Sequence, residues 1–222
     1  MTLARLLDTQ PDDAVALIED GESTTYGELR DLVARTRAGL TAAGVMPRDR
    51  VAVVCTNTRA AAVSVLAATS ADMIAVLLDP NCALAELREQ VETIGAAHVL
   101  TGTPVDDELH TNISSPAGAA VIGIDPLPDG PAVAAATPGD DDLAVMLFTS
   151  GTAGSPKAAM LSHRNLTSNQ EAIVATDDSR LTPDSVVLAT IPISHMYGFN
   201  VSLLTTLRVG GTVVLTTGFQ TS

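Results

Sequence analysis

Leu143-Ala144-Val145-Met146-Leu147-Phe148 runs directly into Thr149-Ser150-Gly151-Thr152-Ala153-Gly154-Ser155-Pro156-Lys157. The first part is continuous and apolar, the pattern of a strand buried in a parallel sheet. The second part is small, hydroxylated, proline or cationic. A strand that ends in such a run exposes a string of backbone N–H groups, and its glycines let the backbone approach a ligand closely. Successive N–H groups in such a turn form an anion-binding nest, and Lys157 adds a full positive charge. Two readings of these residues stand: a phosphate-binding loop, or a plain connection between two strands. A Walker A loop is excluded. That motif needs Gly-Lys-Ser/Thr after its spacer, whereas Ser155-Pro156 separates Gly154 from Lys157 and Ala158 follows.

Upstream, strand and helix patterns alternate. Residues 1–25 read as a short helix and a hairpin-like strand, Val15-Ala16-Leu17-Ile18, closed by Asp20-Gly21. Thr25-Tyr26-Gly27-Glu28 fits a capping box. Tyr26, Leu29, Val33, Thr36 and Leu40 then fall at helical spacing, and Gly44 and Pro47 end that helix. Val51–Cys55 reads as a buried strand. Asn57 or Thr58 can cap an Ala-rich helix to about Ala71. Met73–Leu78 is the next strand, Leu84–Ile94 a helix ending at Gly95, and His98–Leu100 a short strand. Such alternation predicts an α/β fold with parallel or mixed sheets flanked by helices. His98 reads as structural.

Residues 102–142 are rich in proline and glycine around one strand, Ala120–Ile124, and form a candidate subdomain junction. Asp140-Asp141-Asp142 reads as a solvated acidic run rather than a metal site, since adjacent side chains diverge. Past Lys157, Ala158–Leu161 reads as a strand returning into the core. Ser162 caps a helix from His163 to about Ala175, with His163 mostly structural. A strand over Ser185–Ile191 ends in Pro192-Ile193-Ser194-His195-Met196-Tyr197-Gly198-Phe199-Asn200. A mainly helical segment Val201–Val209 and a strand Thr212–Leu215 follow.

Composition excludes several classes. The chain is 46% hydrophobic with mean hydropathy +0.28, too apolar for disorder. Aromatics are 2% and Trp is absent, so Ala, Val, Leu and Ile must build the core. A net charge of -14 argues against nucleic acid or anionic membrane as a bulk electrostatic partner. A polyanion site must therefore be locally basic or amide-rich, as the loop is. Cys55 and Cys82 make neither a disulfide framework nor a metal spacing. No signal peptide and no membrane-length apolar run is read, which makes the cytoplasm the expectation.

Phe148-Thr149-Ser150-Gly151-Thr152-Ala153-Gly154-Ser155-Pro156-Lys157 resembles the phosphate loop of the adenylate-forming superfamily, which includes acyl-CoA synthetases, nonribosomal adenylation domains and luciferases. Its usual form is aromatic-Thr-Ser-Gly-Thr-Thr-Gly-x-Pro-Lys-Gly. Ala153 and Ala158 depart from it. Weaker resemblances occur in order upstream: Thr24–Leu29, Gly44–Val53 and Ala75–Asn81. From the residues alone His195 is a strand-end histidine of the hydrogen-bonded structural kind. In the resemblance it matches Pro-Leu-x-His-x-x-Gly, where the His lines the acyl and nucleotide pocket.

The resemblance implies ATP, Mg²⁺ and coenzyme A as the reaction's small molecules. Thr149, Ser150, Gly151, Thr152, Ala153, Gly154 and Lys157 would hold the ATP phosphates. His195, Tyr197 and Gly198 would bind the carboxylic acid, and no metal ligand is assigned. Ile193-Ser194-His195-Met196 lacks the acid that meets an amino-acid ammonium in adenylation domains, so the implied substrate is a fatty or aryl acid. The implied function is that of a fatty-acid–CoA ligase type. The family's adenine motif, acidic Mg²⁺ contact, hinge and catalytic Lys have no match here. Residues 1–222 are therefore expected to be the N-terminal portion of the large AMP-binding domain, inactive without the C-terminal remainder as partner. The alternatives are a short non-catalytic homologue that binds a phosphate ligand or a partner, an acyl-AMP ligase, and an amino-acid adenylation domain.

Overall fold

A computed structural model of the protein describes residues 2–102, 118–149, 157–176 and 181–216. The fold is mixed α/β, with two sheets among the described residues. The chain opens with the strands β1 (Val15–Glu19) and β2 (Glu22–Thr25). Asp20 and Gly21 join them with φ of 50° and 84°. Positive φ at both central residues matches the right-handed twist of the strands they connect. Thr25 then caps α1 (Tyr26–Ala42). Its hydroxyl accepts the Glu28 N–H, and the Glu28 carboxylate accepts the Thr25 N–H.

The larger sheet is built by repeated strand–helix alternation. Its strands are β3 (Arg50–Val54), β4 (Ile74–Leu78), β5 (His98–Thr101), β6 (Ala120–Gly123), β7 (Leu143–Thr149) and β8 (Lys157–Ser162). They lie in the order β6-β5-β3-β4-β7-β8, parallel except for the β7–β8 pair. The stretch 102–142 thus contributes β6 to the same sheet as its neighbours. Helix α2 (Arg59–Ser70) follows β3, and α3 (Leu84–Ile94) follows β4. Helix α3 stops where Gly95 adopts the left-handed conformation, φ 59° and ψ 47°, as a C-terminal glycine does.

Strand periodicity divides the core. Val51 and Val53 pack with α2 in the main cluster, whereas Ala52 and Val54 pack with α3 on the opposite face. Helix α2 is buried from Ala61 to Ser70, as a helix apolar all round must be. Its polar side chains are satisfied internally. Ser64, Thr69 and Ser70 donate to the carbonyls of Ala60, Val65 and Ala67 at 2.7, 2.9 and 2.9 Å. With so few aromatics, small aliphatic residues fill the interior, and Tyr26 and Phe199 are the largest fully buried side chains.

The smaller sheet has the order β2-β1-β10-β9, from β9 (Val186–Ala189) and β10 (Thr212–Leu215). β1 pairs parallel with β10, and β10 with β9. Helix α4 (His163–Ala175) leads out of the larger sheet. Ser162 caps it reciprocally with Asn165.

Three expectations need correction. Ala158–Leu161 returns only to the margin of the core, with Ala158 and Leu161 half-buried against it. It lies in β8, the outermost strand, because the inner side of β7 already pairs with β4, and Met160 is 61% exposed. Thr149 and Lys157 are not loop residues. They face one another as the last pair of the β7–β8 ladder. The helix expected from Val201 begins earlier. Tyr197–Thr205 is a π-helical stretch, followed by α5 (Thr206–Val209). The Thr205 hydroxyl donates to the Asn200 carbonyl five residues back at 2.6 Å, in keeping with that wider turn.

Candidate active site

Two segments carry the residues singled out from the sequence, and each follows a parallel strand. Thr149 ends β7 and Lys157 begins β8, so residues 150–156 connect the two at the carboxyl edge of the larger sheet. Ser150, Gly151, Thr152, Ala153 and Gly154 lie outside the described residues. Lys157 is exposed. In an open α/β sheet this edge is where ligands gather.

The second segment leaves the carboxyl end of β9. His195 is exposed and lies between that strand and the π-helical stretch. Its backbone N–H donates to the Pro192 carbonyl at 2.9 Å, and its carbonyl accepts the Phe199 N–H at 2.9 Å. Its ring Nδ1 accepts the Tyr197 N–H at 3.2 Å. A neutral imidazole so engaged carries its proton on Nε2 and presents an N–H donor outward. Tyr197 is 52% exposed, whereas Gly198 is buried. A Cβ at Gly198 would collide with the carbonyl oxygens of Ile191 and Pro192. Glycine is thus required for packing there, beside any part it takes in binding.

Asn57 brings the two sheets together. It follows β3 and is only 8% exposed. Its amide nitrogen donates to the Ala189 carbonyl at 2.9 Å and the Ile191 carbonyl at 3.4 Å, and its amide oxygen accepts the Ile193 N–H at 2.8 Å. The carboxyl ends of β3 and β9 therefore meet. β7 lies two strands from β3, about 10 Å at the usual spacing between neighbours. The end of β7 and the His195 segment accordingly lie at a common edge. A second tie is close by: Glu19 at the end of β1 accepts the backbone N–H of Arg59, and the Arg59 guanidinium donates to Thr24. From the sequence Asn57 was one of two candidate caps for α2. Thr58 is the cap, its hydroxyl accepting the Ala61 N–H at 3.3 Å. An asparagine directly ahead of a residue already able to cap was the available signal for another task.

The remaining candidates are structural. His163 is buried, and its Nδ1 accepts the Leu3 N–H. Asp141 receives Arg164 at 2.6 and 3.1 Å, while Asp142 pairs with Arg48 at 2.9 Å and accepts the Gly139 N–H. Hydrogen bonds from Arg164 and Gly139 respectively lead the causes that hold these two carboxyls below the usual carboxylate range. The acidic run thus faces arginines. Among the described residues no group of three possible metal ligands gathers. Burial pushes the Cys55 thiol up, so it is not a ready nucleophile. No helix among the described residues is long and apolar enough to cross a membrane.

The family model described as AMP-binding enzyme matches residues 3–222. A feruloyl-CoA synthase from Amycolatopsis sp is 35% identical over 213 residues, covering 93% of this chain and 42% of that protein. A 4-coumarate–CoA ligase 3 from Oryza sativa subsp. japonica is 30% identical over 215 residues, covering 91% and 39%. ATP-bound MatB from Rhodopseudomonas palustris superposes with a TM-score of 0.88 at 31% identity, covering 99% of this chain and 46% of that one. The chain thus spans less than half the length of each of these three relatives. Strand–loop order, the paired sheets and the match over nearly every residue agree, and the chain belongs to the AMP-binding enzyme family.

Proposed function

We propose that residues 1–222 are the N-terminal portion of the large domain of an acid–thiol ligase. The protein would activate a carboxylic acid with ATP as an acyl-adenylate and transfer the acyl group to coenzyme A. One observation carries the reading: a loop flanked by Thr149 and Lys157 leaves the carboxyl end of a buried parallel strand, at the edge where the His195 segment also emerges.

In the first step a carboxylate oxygen attacks the α-phosphorus of ATP and pyrophosphate departs. In the second the coenzyme A thiol attacks the acyl carbon and AMP departs. This chain's part is to hold anions side by side and offset the repulsion between them. The 150–154 amides and hydroxyls, with Thr149 and Lys157, would hold the β- and γ-phosphates. The His195 Nε2–H would donate to an oxygen at the junction of acyl and nucleotide sites, with Tyr197 beside it. Magnesium would add positive charge between the phosphates, and it usually keeps several waters and few protein ligands. The carboxylates of the 140–142 run, engaged by arginines, do not suit it.

An aryl acid fits better than a fatty acid. Two of the three relatives named above are a feruloyl-CoA synthase and a coumarate ligase, and Ile193-Ser194-His195-Met196 offers no carboxylate to an amino-acid substrate. The cytoplasm, where ATP and coenzyme A are abundant, is the proposed location. ATP–pyrophosphate exchange by the natural full-length gene product tests the reading with hydroxycinnamic, benzoic, fatty and amino acids in parallel. Exchange driven by aromatic acids is expected. Exchange with none of them overturns the activity, and exchange driven by fatty acids alone overturns the substrate class.

A further inference from the structure

We propose that Asn57, which follows β3 of the larger sheet, is the positioning residue that sets where His195, which follows β9 of the smaller sheet, stands. The inference rests on the reading of His195 as a substrate-side group. Its own support is geometric. Three backbone groups on the approach to His195 are held by one side chain: the carbonyls of Ala189 and Ile191 and the N–H of Ile193. A planar amide satisfies donors and acceptors of this pattern at once, and near-complete burial shields its bonds from competition by water. The register continues outward from there. The Pro192 carbonyl, enclosed between the two held residues, takes the His195 N–H, and the His195 carbonyl takes the Phe199 N–H. His195 is itself exposed and makes no tertiary side-chain bond among the described residues beyond its own turn, so this backbone frame determines its position.

The frame is fixed to β3, in the middle of the sheet that also supplies the phosphate loop. Asn57 therefore holds the acyl-side segment in register with the phosphate side. Loss of that register matters more to rate than to folding, because a displacement of about 1 Å at a reacting centre costs on the order of 10²-fold.

The test is a double-mutant cycle in the natural full-length gene product, with Asn57→Ala, His195→Ala and the pair. The readouts are kcat/KM for the carboxylic acid and for ATP in pyrophosphate exchange, together with Tm. Each single change is expected to lower kcat/KM for the acid by about 10–100-fold. The pair is expected to be no worse than the poorer single variant, because Asn57 acts through the segment that carries His195. Asn57→Asp should be at least as damaging as Asn57→Ala, because its carboxylate meets two carbonyls where a donor stood. In the same full-length protein, faster amide exchange at Ile193 should accompany Asn57→Ala. Effects that multiply in the pair, or Asn57→Ala at wild-type kcat/KM, overturn the positioning role. If Asn57→Ala does not fold, Asn57→Ser takes its place in the cycle. Failure of both to fold makes Asn57 a stability residue and likewise overturns the role. An inert His195→Ala refutes the reading of the site itself, a result distinct from these.

Discussion

The Nδ1 of His163 accepts the backbone N–H of Leu3 at 3.2 Å, joining residues 160 apart in the chain. The bond requires a neutral ring. Burial is the first cause that holds the His163 pKa below 6.5, although Asp72, Asp142 and Asp140 pull it up, and Arg48 adds to the lowering. The unfolded chain therefore binds a proton below about pH 6.5 that the folded chain refuses, and stability falls as pH falls through that range. Urea midpoints at about pH 7.5 and 5.5 should show the loss in the wild type. His163→Asn, which keeps an acceptor near Nδ1 and cannot titrate, should flatten it. The lowered carboxylates Glu28, Asp129, Asp141 and Asp142 act only below their ordinary 4.5 for Glu28 and 3.8 for the aspartates, below the lower pH measured. An unchanged slope in His163→Asn would refute the assignment.

Tyr26→Phe isolates one buried hydroxyl. The Tyr26 hydroxyl meets the carbonyls of Gly211 at 2.7 Å and Leu207 at 3.2 Å, and burial raises its pKa. Removing it leaves those buried acceptors short of a donor. The expected cost is about 1–3 kcal/mol, a Tm drop of about 2–12 °C for a chain of this size. Thermal unfolding with unchanged Tm would contradict it.

Gly198→Ala and Gly123→Ala should diverge. The first inserts a methyl against the Ile191 and Pro192 carbonyls, the second into open space. A loss of about 1–3 kcal/mol is expected at 198, and none or a slight gain at 123. Equal Tm values for the two variants would show that the turn before the π-helical stretch yields more easily than its contacts imply.

Lys157→Ala should separate chemistry from stability. Lys157 is exposed at the start of an edge strand, so Tm should hold within the small range of surface changes. ATP–pyrophosphate exchange should fall about 10²–10³-fold, the loss typical of one preorganised charge-stabilising donor. Exchange at the wild-type rate would return the Gly/Ser/Thr run to an ordinary connection.

What the sequence disclosed was local. The Thr25–Glu28 box, the Gly95 stop and the all-buried β4 each follow from a few adjacent residues, and together they established the α/β alternation. Pairings across long stretches were out of reach. Nothing near Val15–Ile18 announces that this strand pairs with Thr212–Leu215, or that β8 is outermost. The site divides the same way. Glycine spacing marked the loop after β7, and a short motif marked His195. Asn57 could not be found so, because its partners lie more than 130 residues away. Asp140–Asp142 lie at the surface as read, but their pairing with Arg48 and Arg164 was out of reach because those arginines are distant or on a separate element.

The β1–β10 pairing also has a consequence in time. The Thr212 hydroxyl bonds the Val15 carbonyl, 197 residues earlier. A ribosome adding about 5–20 residues per second needs roughly 10–40 s between the two. Throughout that interval the β10-facing edge of β1 has no partner strand to pair with, and an unpaired edge is a template for other strands. That edge of β1 is covered only once Thr212–Leu215 has been made.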